Sequence, residues 1–234
     1  MIDLRLFADL GRFENDWLNS RFHFSFAEYH DAARMGHGAL RVWNDDEIAA
    51  GGGFDMHPHR DMEIITYVRR GAISHRDSLG NEGTTRAGDV QVMSAGTGIT
   101  HAEYNDGDEP CALFQIWISP NARGVAPRWE TRRFPERGGA GGLVALASGR
   151  DGEIGNGALM IHQDATLFGA ALAAGEQATH ALGPGRHAYL VVVAGGITLN
   201  GVAMGARDGA AIEGEDGLII EALEDTELVL ADVP

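Results

Sequence analysis

The chain has 234 residues and a mass of 25.0 kDa, enough for one large domain or two small ones with real cores. Its net charge of −16, from 18 Lys and Arg against 34 Asp and Glu, argues against a surface that wraps nucleic acid or rests on anionic lipid. The single cysteine, Cys111, excludes an intrachain disulfide and any multi-thiolate zinc or iron–sulfur site, so a metal here would need imidazole and carboxylate ligands.

The opening Met1-Ile2-Asp3-Leu4-Arg5 lacks a basic-then-apolar leader, and no apolar run approaches the ~20 residues that span a bilayer. A soluble, cytoplasmic protein is expected. Short β-rich runs follow at 39–43, 62–68, 90–93 and 111–118, then a short helical turn is expected near Pro120 to Arg123. Arg123, Arg128, Arg132, Arg133 and Arg137, interleaved with Glu130 and Glu136, read as a solvated face rather than an anion site. The Gly/Asp-rich stretch from Phe134 to Asn156 reads as a connection between two halves, and further strands are expected at 189–193, 218–222 and 227–230.

Glycine, at 33 residues, is about twice as frequent as its usual ~7%, which suits many tight turns between short strands. A weak internal repeat relates Tyr67-Val68-Arg69-Arg70-Gly71-Ala72-Ile73-Ser74 to Val191-Val192-Val193-Ala194-Gly195-Gly196-Ile197-Thr198. Each half has a strand, a glycine turn and a second strand, followed by Gly88-Asp89-Val90 in one and Asp208-Gly209-Ala210 in the other. Two β-barrels in tandem are expected, with an all-β fold.

The chemistry is concentrated in His57-Pro58-His59 and His101-Ala102-Glu103. Residues i and i+2 of a strand share a face, so each segment can deliver two donors into one space. Pro58 cannot donate to a ladder, which places its strand at an edge or rim, open to ligands. Three nitrogens and an oxygen suit Fe(II), Mn(II), Ni(II), Cu(II), Co(II) or Zn(II), and an octahedral ion would keep positions for substrate. Glu63 is an alternative ligand or a group that orients a histidine. His23, His30, His37, His75, His162, His180 and His187 occur singly and read as surface or hydrogen-bonded core residues.

Gly51, His57-Pro58-His59, Glu63, Gly88-Asp89, Gly98, His101 and Asn105 resemble the paired motifs of the cupin superfamily. More narrowly, 57–63, Ser94 through Tyr104, and Phe114-Gln115-Ile116-Trp117-Ile118 are similar to the pirin family. The resemblance implies a bicupin, with a metal-binding jelly-roll-like barrel at 1–135 and a second barrel, without ligands, at 136–234. The pirin pattern puts one divalent metal per chain, iron first, on His57, His59, His101 and Glu103; the general cupin pattern would use Glu63 instead. Glu103 is preferred because the gap from His59 to Glu63 is short and Gly96 stands where general cupins carry proline. Aligning Gly71 with Gly195 puts Ala181 and Gly183 opposite His57 and His59, with His180 left as a lone histidine.

Pirin-like bicupins resemble quercetin 2,3-dioxygenases, which open a flavonol with O2 and release carbon monoxide. The implied partners are a small aromatic or enolisable substrate and O2, with Glu103 as catalytic base and Phe54, Met56, Met93, Ile116 and Trp117 as apolar pocket walls. The rival reading is a pirin-like regulator that docks on a protein partner without turnover; direct nucleic-acid binding fits neither reading at this charge.

Overall fold

The computed structural model describes residues 1–134 and 142–234. The boundary expected between 135 and 136 and most of the glycine cluster at 138–142 lie outside the described residues. Regular structure is almost entirely antiparallel sheet, organised as two cupin-type barrels. No helix among the described residues is long and apolar enough to cross a membrane.

The unit that contains 11–134 has two sheets. The smaller runs in the order Gly53–His59, Ile99–Tyr104, Ala72–Asp77, Glu82–Arg86. The larger runs Arg128–Arg133, Asp89–Ser94, Glu63–Arg70, Cys111–Ile118, Leu40–Ile48, Leu18–Phe22, Gly11–Glu14. As the Pro58 argument requires, Gly53–His59 is an edge strand. Between the sheets the interior is divided. Ile48, Val68, Ile73, Cys111 and Leu113 form one apolar cluster and Ile64, Met93, Ala95 and Ile99 another. Asn44, Asp46, Thr66, Thr85, Gln91, His101 and Glu103 are buried polar side chains of the same unit.

The other unit repeats the smaller sheet as Gln177–Ala181, Gly217–Ala222, Gly196–Leu199, Val202–Gly205. Its larger sheet brings Ile2–Arg5 beside Gly209–Glu213, so the first ten residues belong with the C-terminal unit, while 159–163 belong with the N-terminal one. A cut at one sequence position therefore does not assign residues 1–10, which ladder pairing rather than chain proximity joins to the second unit. This second unit has one large apolar cluster, with Leu172, Leu190, Ile197, Ile212, Leu218, Ile220 and Leu230 among its buried members. Its Gly217–Ala222 strand presents Leu218 and Ile220 where the first unit's equivalent strand carries His101 and Glu103.

The internal repeat is real. Gly71 and Gly195 both sit at positive φ, +74° and +81°, between consecutive strands, a conformation that costs a β-carbon but not glycine. Two expectations change. Residues 120–123 form no helical turn: Asn121 and Ala122 are bends, and the Asn121 N–H bonds to the His162 carbonyl. The stretch expected to be only a connection contains the strand Val144–Ser148, paired to Thr166–Leu172, and the short helix Asp151–Gly155.

Candidate metal centre

Antiparallel pairing of Gly53–His59 with Ile99–Tyr104 sets His57 opposite His101, and a β-bulge between His101 and Glu103 then sets Glu103 opposite Phe54. The imidazoles of His57, His59 and His101 converge. Their ring centroids are 4.5 Å apart for His57 and His101, 4.8 Å for His57 and His59, and 5.0 Å for His59 and His101. One nitrogen from each lies within 4.8 Å of the other two.

The hydrogen bonds show which nitrogens are free. His57 Nδ1 lies 2.7 Å from the Asp55 carbonyl, an acceptor only, so Nδ1 carries the proton and Nε2 keeps its lone pair. The Nε2 atoms of His59 and His101 are buried with no hydrogen-bond partner. A buried acceptor without a donor is costly, and a metal ion is what removes that cost, so this donor set fits a divalent transition metal. Burial, then the neighbouring imidazoles, pushes the pKa of His59 down to about 4 and that of His101 to about 3. Both rings are thereby kept neutral, the form that ligates.

Glu103 is 2% exposed and held from both sides. Gln91 Nε2 donates to one carboxylate oxygen and Gln115 Nε2 to the other, the latter at 2.9 Å. The two amides also set the aromatic walls. Gln115 Oε1 accepts from Trp117 Nε1 at 3.2 Å, and Trp117 packs edge-on against His59 with centroids 5.0 Å apart. Gln91 Oε1 accepts from Thr85 Oγ1 at 2.9 Å and from Trp129 Nε1 at 3.3 Å, and Trp129 stacks on His75.

His75, one of the histidines that occur singly in the sequence, is buried beside the centre. Its donor atom groups with those of His101 and Glu103 within 4.8 Å, and its Nδ1 lies 3.4 Å from His101 Nδ1. The signal was present as His75-Arg76-Asp77, an i, i+2 pair on a strand whose register sets His75 opposite Glu103. Only the pairing of that strand with Ile99–Tyr104 gives the spacing its meaning. For Asp77, burial pushes the carboxyl up, but hydrogen bonds from Asn81, His75 and Leu79 outweigh it and hold the group below its usual range.

Glu63 is elsewhere. The turn after His59, with Asp61 at φ +47°, moves the chain to the larger sheet, where Glu63 pairs with Ser94 and Ile118. Its carboxylate accepts from Ser94 Oγ at 2.7 Å, and it belongs to no three-ligand group with the histidines among the described residues. Burial raises its pKa, opposed by the Ser94 hydrogen bond. Gly96 explains the missing proline: its φ is +45°, out of reach of a ring that fixes φ near −65°.

The expected pocket residues divide. Trp117 faces His59, and Met93 is buried in the cluster against which Trp117 packs. Phe54 lies 6.4 Å from the His57 ring but is packed edge-on against Trp17. Met56 points to solvent at 47% exposure. Ile116 is fully buried on the opposite face of its strand from Gln115 and Trp117, because alternate residues point opposite ways. Beyond Trp117 lies a cleft of about 320 Å³, lined in part by Phe26, Tyr29, Met62 and Arg41. The basic stretch is locally paired, with Arg128 and Arg132 both on Glu130; Arg137 and Glu136 lie outside the described residues. In the second unit, His180 Nε2 is bonded to Asp232 at 2.9 Å rather than left alone.

Residues 4–118 match the family Pirin and residues 145–233 the quercetinase C-terminal cupin domain. The chain is 56% identical to the pirin-like protein of Caulobacter vibrioides, with 99% of each covered. It is 46% identical to the quercetin 2,3-dioxygenase of Escherichia coli K12, over 100% of this chain and 99% of that one. The crystal structure of the bacterial pirin YhhW of Escherichia coli in complex with nickel(II) superimposes with a TM-score of 0.92 at 45% identity, covering 100% of this chain and 99% of that one. With two barrels in one chain, converging imidazoles in the first and relatives of this identity over its whole length, the chain belongs to the pirin family.

Proposed function

We propose that this protein is a metal-dependent dioxygenase of the quercetin 2,3-dioxygenase type, with His57, His59, His101 and Glu103 as the ligands of one divalent metal, iron first. The observation that carries the reading is the pair of buried, unpartnered Nε2 atoms of His59 and His101 converging with His57 at an edge strand. When bound, the metal would supply Lewis acidity and access to O2 chemistry.

The chain's own groups do the rest. Each oxygen of Glu103 already accepts one amide hydrogen bond and keeps lone-pair capacity, so the carboxylate can take the proton of the flavonol 3-hydroxyl. Gln91 and Gln115 keep it from rotating away, and a fixed base removes an orientational cost from the proton transfer. Trp117 gives a flat substrate an apolar wall at His59, and the cleft lined by Phe26, Tyr29 and Met62 extends that wall. The second barrel, filled by aliphatic side chains, serves as structure.

The test is oxygen uptake with quercetin by protein reconstituted in turn with Fe(II), Mn(II), Ni(II) and Cu(II), beside Glu103→Gln. Uptake matching flavonol loss, absent in the variant, is the expected result. No uptake by protein of measured metal content would move the reading to another substrate or to a regulator that binds a protein partner.

A further inference from the structure

Resting on the reading of His101 as a metal ligand, we infer that His75 and Asp77 are positioning residues, a proton-ordered chain that holds His101 in the one tautomer able to bind metal.

The chain runs outward from the centre. His101 Nδ1 faces His75 Nδ1 at 3.4 Å, and His75 Nε2 faces Asp77 Oδ2 at 3.2 Å. Both His75 and Asp77 side chains are fully buried, so water cannot rearrange the protons at will. Asp77 starts the ordering. Its Oδ1 accepts the backbone N–H of Leu79 at 2.9 Å and of Asn81 at 3.1 Å, and its Oδ2 accepts Asn81 Nδ2 at 2.9 Å. It faces His75 as an acceptor, so a neutral His75 carries its proton on Nε2 and a lone pair on Nδ1. That lone pair requires the His101 proton to be on Nδ1. His101 Nε2 is then a bare donor atom, and it is the buried, unpartnered atom at the centre. The opposite tautomer would aim an N–H at the metal position and could not ligate.

Packing holds the geometry. The His75 ring stacks on Trp129 at 4.8 Å and 7°, and Trp129 is tied through Nε1 to Gln91, the residue that also holds Glu103. His57 reaches the same tautomer by a shorter route, through the Asp55 carbonyl. The two histidines from opposite strands thus present the same nitrogen for different local reasons.

Asp77→Asn is the discriminating substitution. The two backbone N–H groups at Oδ1 require the amide oxygen there, so the –NH2 takes the Oδ2 position, donating one hydrogen toward His75 Nε2 and the other to the Asn81 side chain, whose amide turns to present its oxygen. Every proton in the chain then reverses, and His101 becomes protonated on Nε2. The experiment is long-range 1H–15N NMR of the histidine rings in metal-free protein, with Ni(II) affinity measured by competition against a chelator. In the wild type we expect His101 as the Nδ1–H tautomer; in Asp77→Asn we expect Nε2–H and a Ni(II) affinity at least about tenfold weaker. His75→Phe keeps a ring against Trp129 while removing both nitrogens, and is expected to weaken Ni(II) binding in a protein that still unfolds cooperatively, its midpoint lowered by the lost hydrogen bonds. A wild-type His101 found as Nε2–H overturns the proposal without any variant, as does unchanged Ni(II) affinity in a folded Asp77→Asn. Failure of the wild type itself to bind Ni(II) would instead remove the metal-site reading on which this rests.

Discussion

Gln115 Nε2 donates to Glu103 Oε2 at 2.9 Å, joining the two sheets of the N-terminal unit through a buried carboxylate. The same amide accepts from Trp117, so one side chain positions both the candidate base and the wall beside His59. Gln115→Leu leaves a carboxylate oxygen and the Trp117 indole N–H each short of a partner. Each buried orphan costs about 1–3 kcal/mol, and each kcal/mol lowers the melting midpoint by about 2–4 °C in a chain of this size. We expect a midpoint several degrees lower by calorimetry, together with slower flavonol turnover.

His57→Ala, His59→Ala and His101→Ala are each expected to abolish metal retention while the metal-free proteins keep their fold. The barrel is held by apolar clusters and sheet pairing rather than by the ion. Metal content by elemental analysis, read with melting of the stripped proteins, checks this. Global unfolding of the stripped wild type would count against the assignment, because structural metal sites carry the folding energy of their domains.

The buried histidines make the metal-free protein acid-sensitive. Folded His59 and His101 stay neutral down to about 4 and about 3, whereas an unfolded histidine takes its proton near 6.5. Below that point the unfolded state binds more protons, so the stability contribution is complete above about pH 6.5 and is lost as pH falls toward 4. Denaturant unfolding of metal-free protein between pH 7 and pH 4 measures it, and His101→Asn should reduce the slope by one proton.

Asp46 acts with the opposite sign. Burial, opposed by a hydrogen bond from Ser20 and reinforced by Asp45 and Glu103, raises its pKa to about 7. The folded state keeps a proton that the unfolded state releases above about 3.8, so this group withdraws stability as pH climbs from there to 7. Asp46→Asn should remove a slope on the order of 1.4 kcal/mol per pH unit from that window, measured by urea unfolding at pH 5, 6 and 7.

His180→Ala should leave metal content and turnover untouched. His180 bonds to Asp232, which also pairs with Arg186, inside the unit with the aliphatic core. A loss of about 1 kcal/mol of stability is expected from the missing hydrogen bond. Metal loss as complete as in His57→Ala would overturn the view of the second barrel as structural.

Much was determined by sequence alone. The i, i+2 spacing of His57 with His59 and of His101 with Glu103 placed each pair on one strand face, and Pro58 placed its strand at an edge, because these follow from local strand geometry. The relation of Gly71 to Gly195 disclosed the two-barrel plan for the same local reason: each turn needs a left-handed residue. Tertiary structure decided everything that depends on which strands pair. Only the register of Ile99–Tyr104 between its two neighbours makes His75 a companion of His101, and only the crossing into the larger sheet removes Glu63 from the histidines. Gln91 and Gln115 are distant from Glu103 in their ladders and meet it across the barrel interior. Ile2–Arg5 joins the far end of the chain by the same cause. Strand periodicity is a property of neighbours in sequence, whereas ladder partners are chosen by the packing of the whole sheet, and no local pattern records that choice.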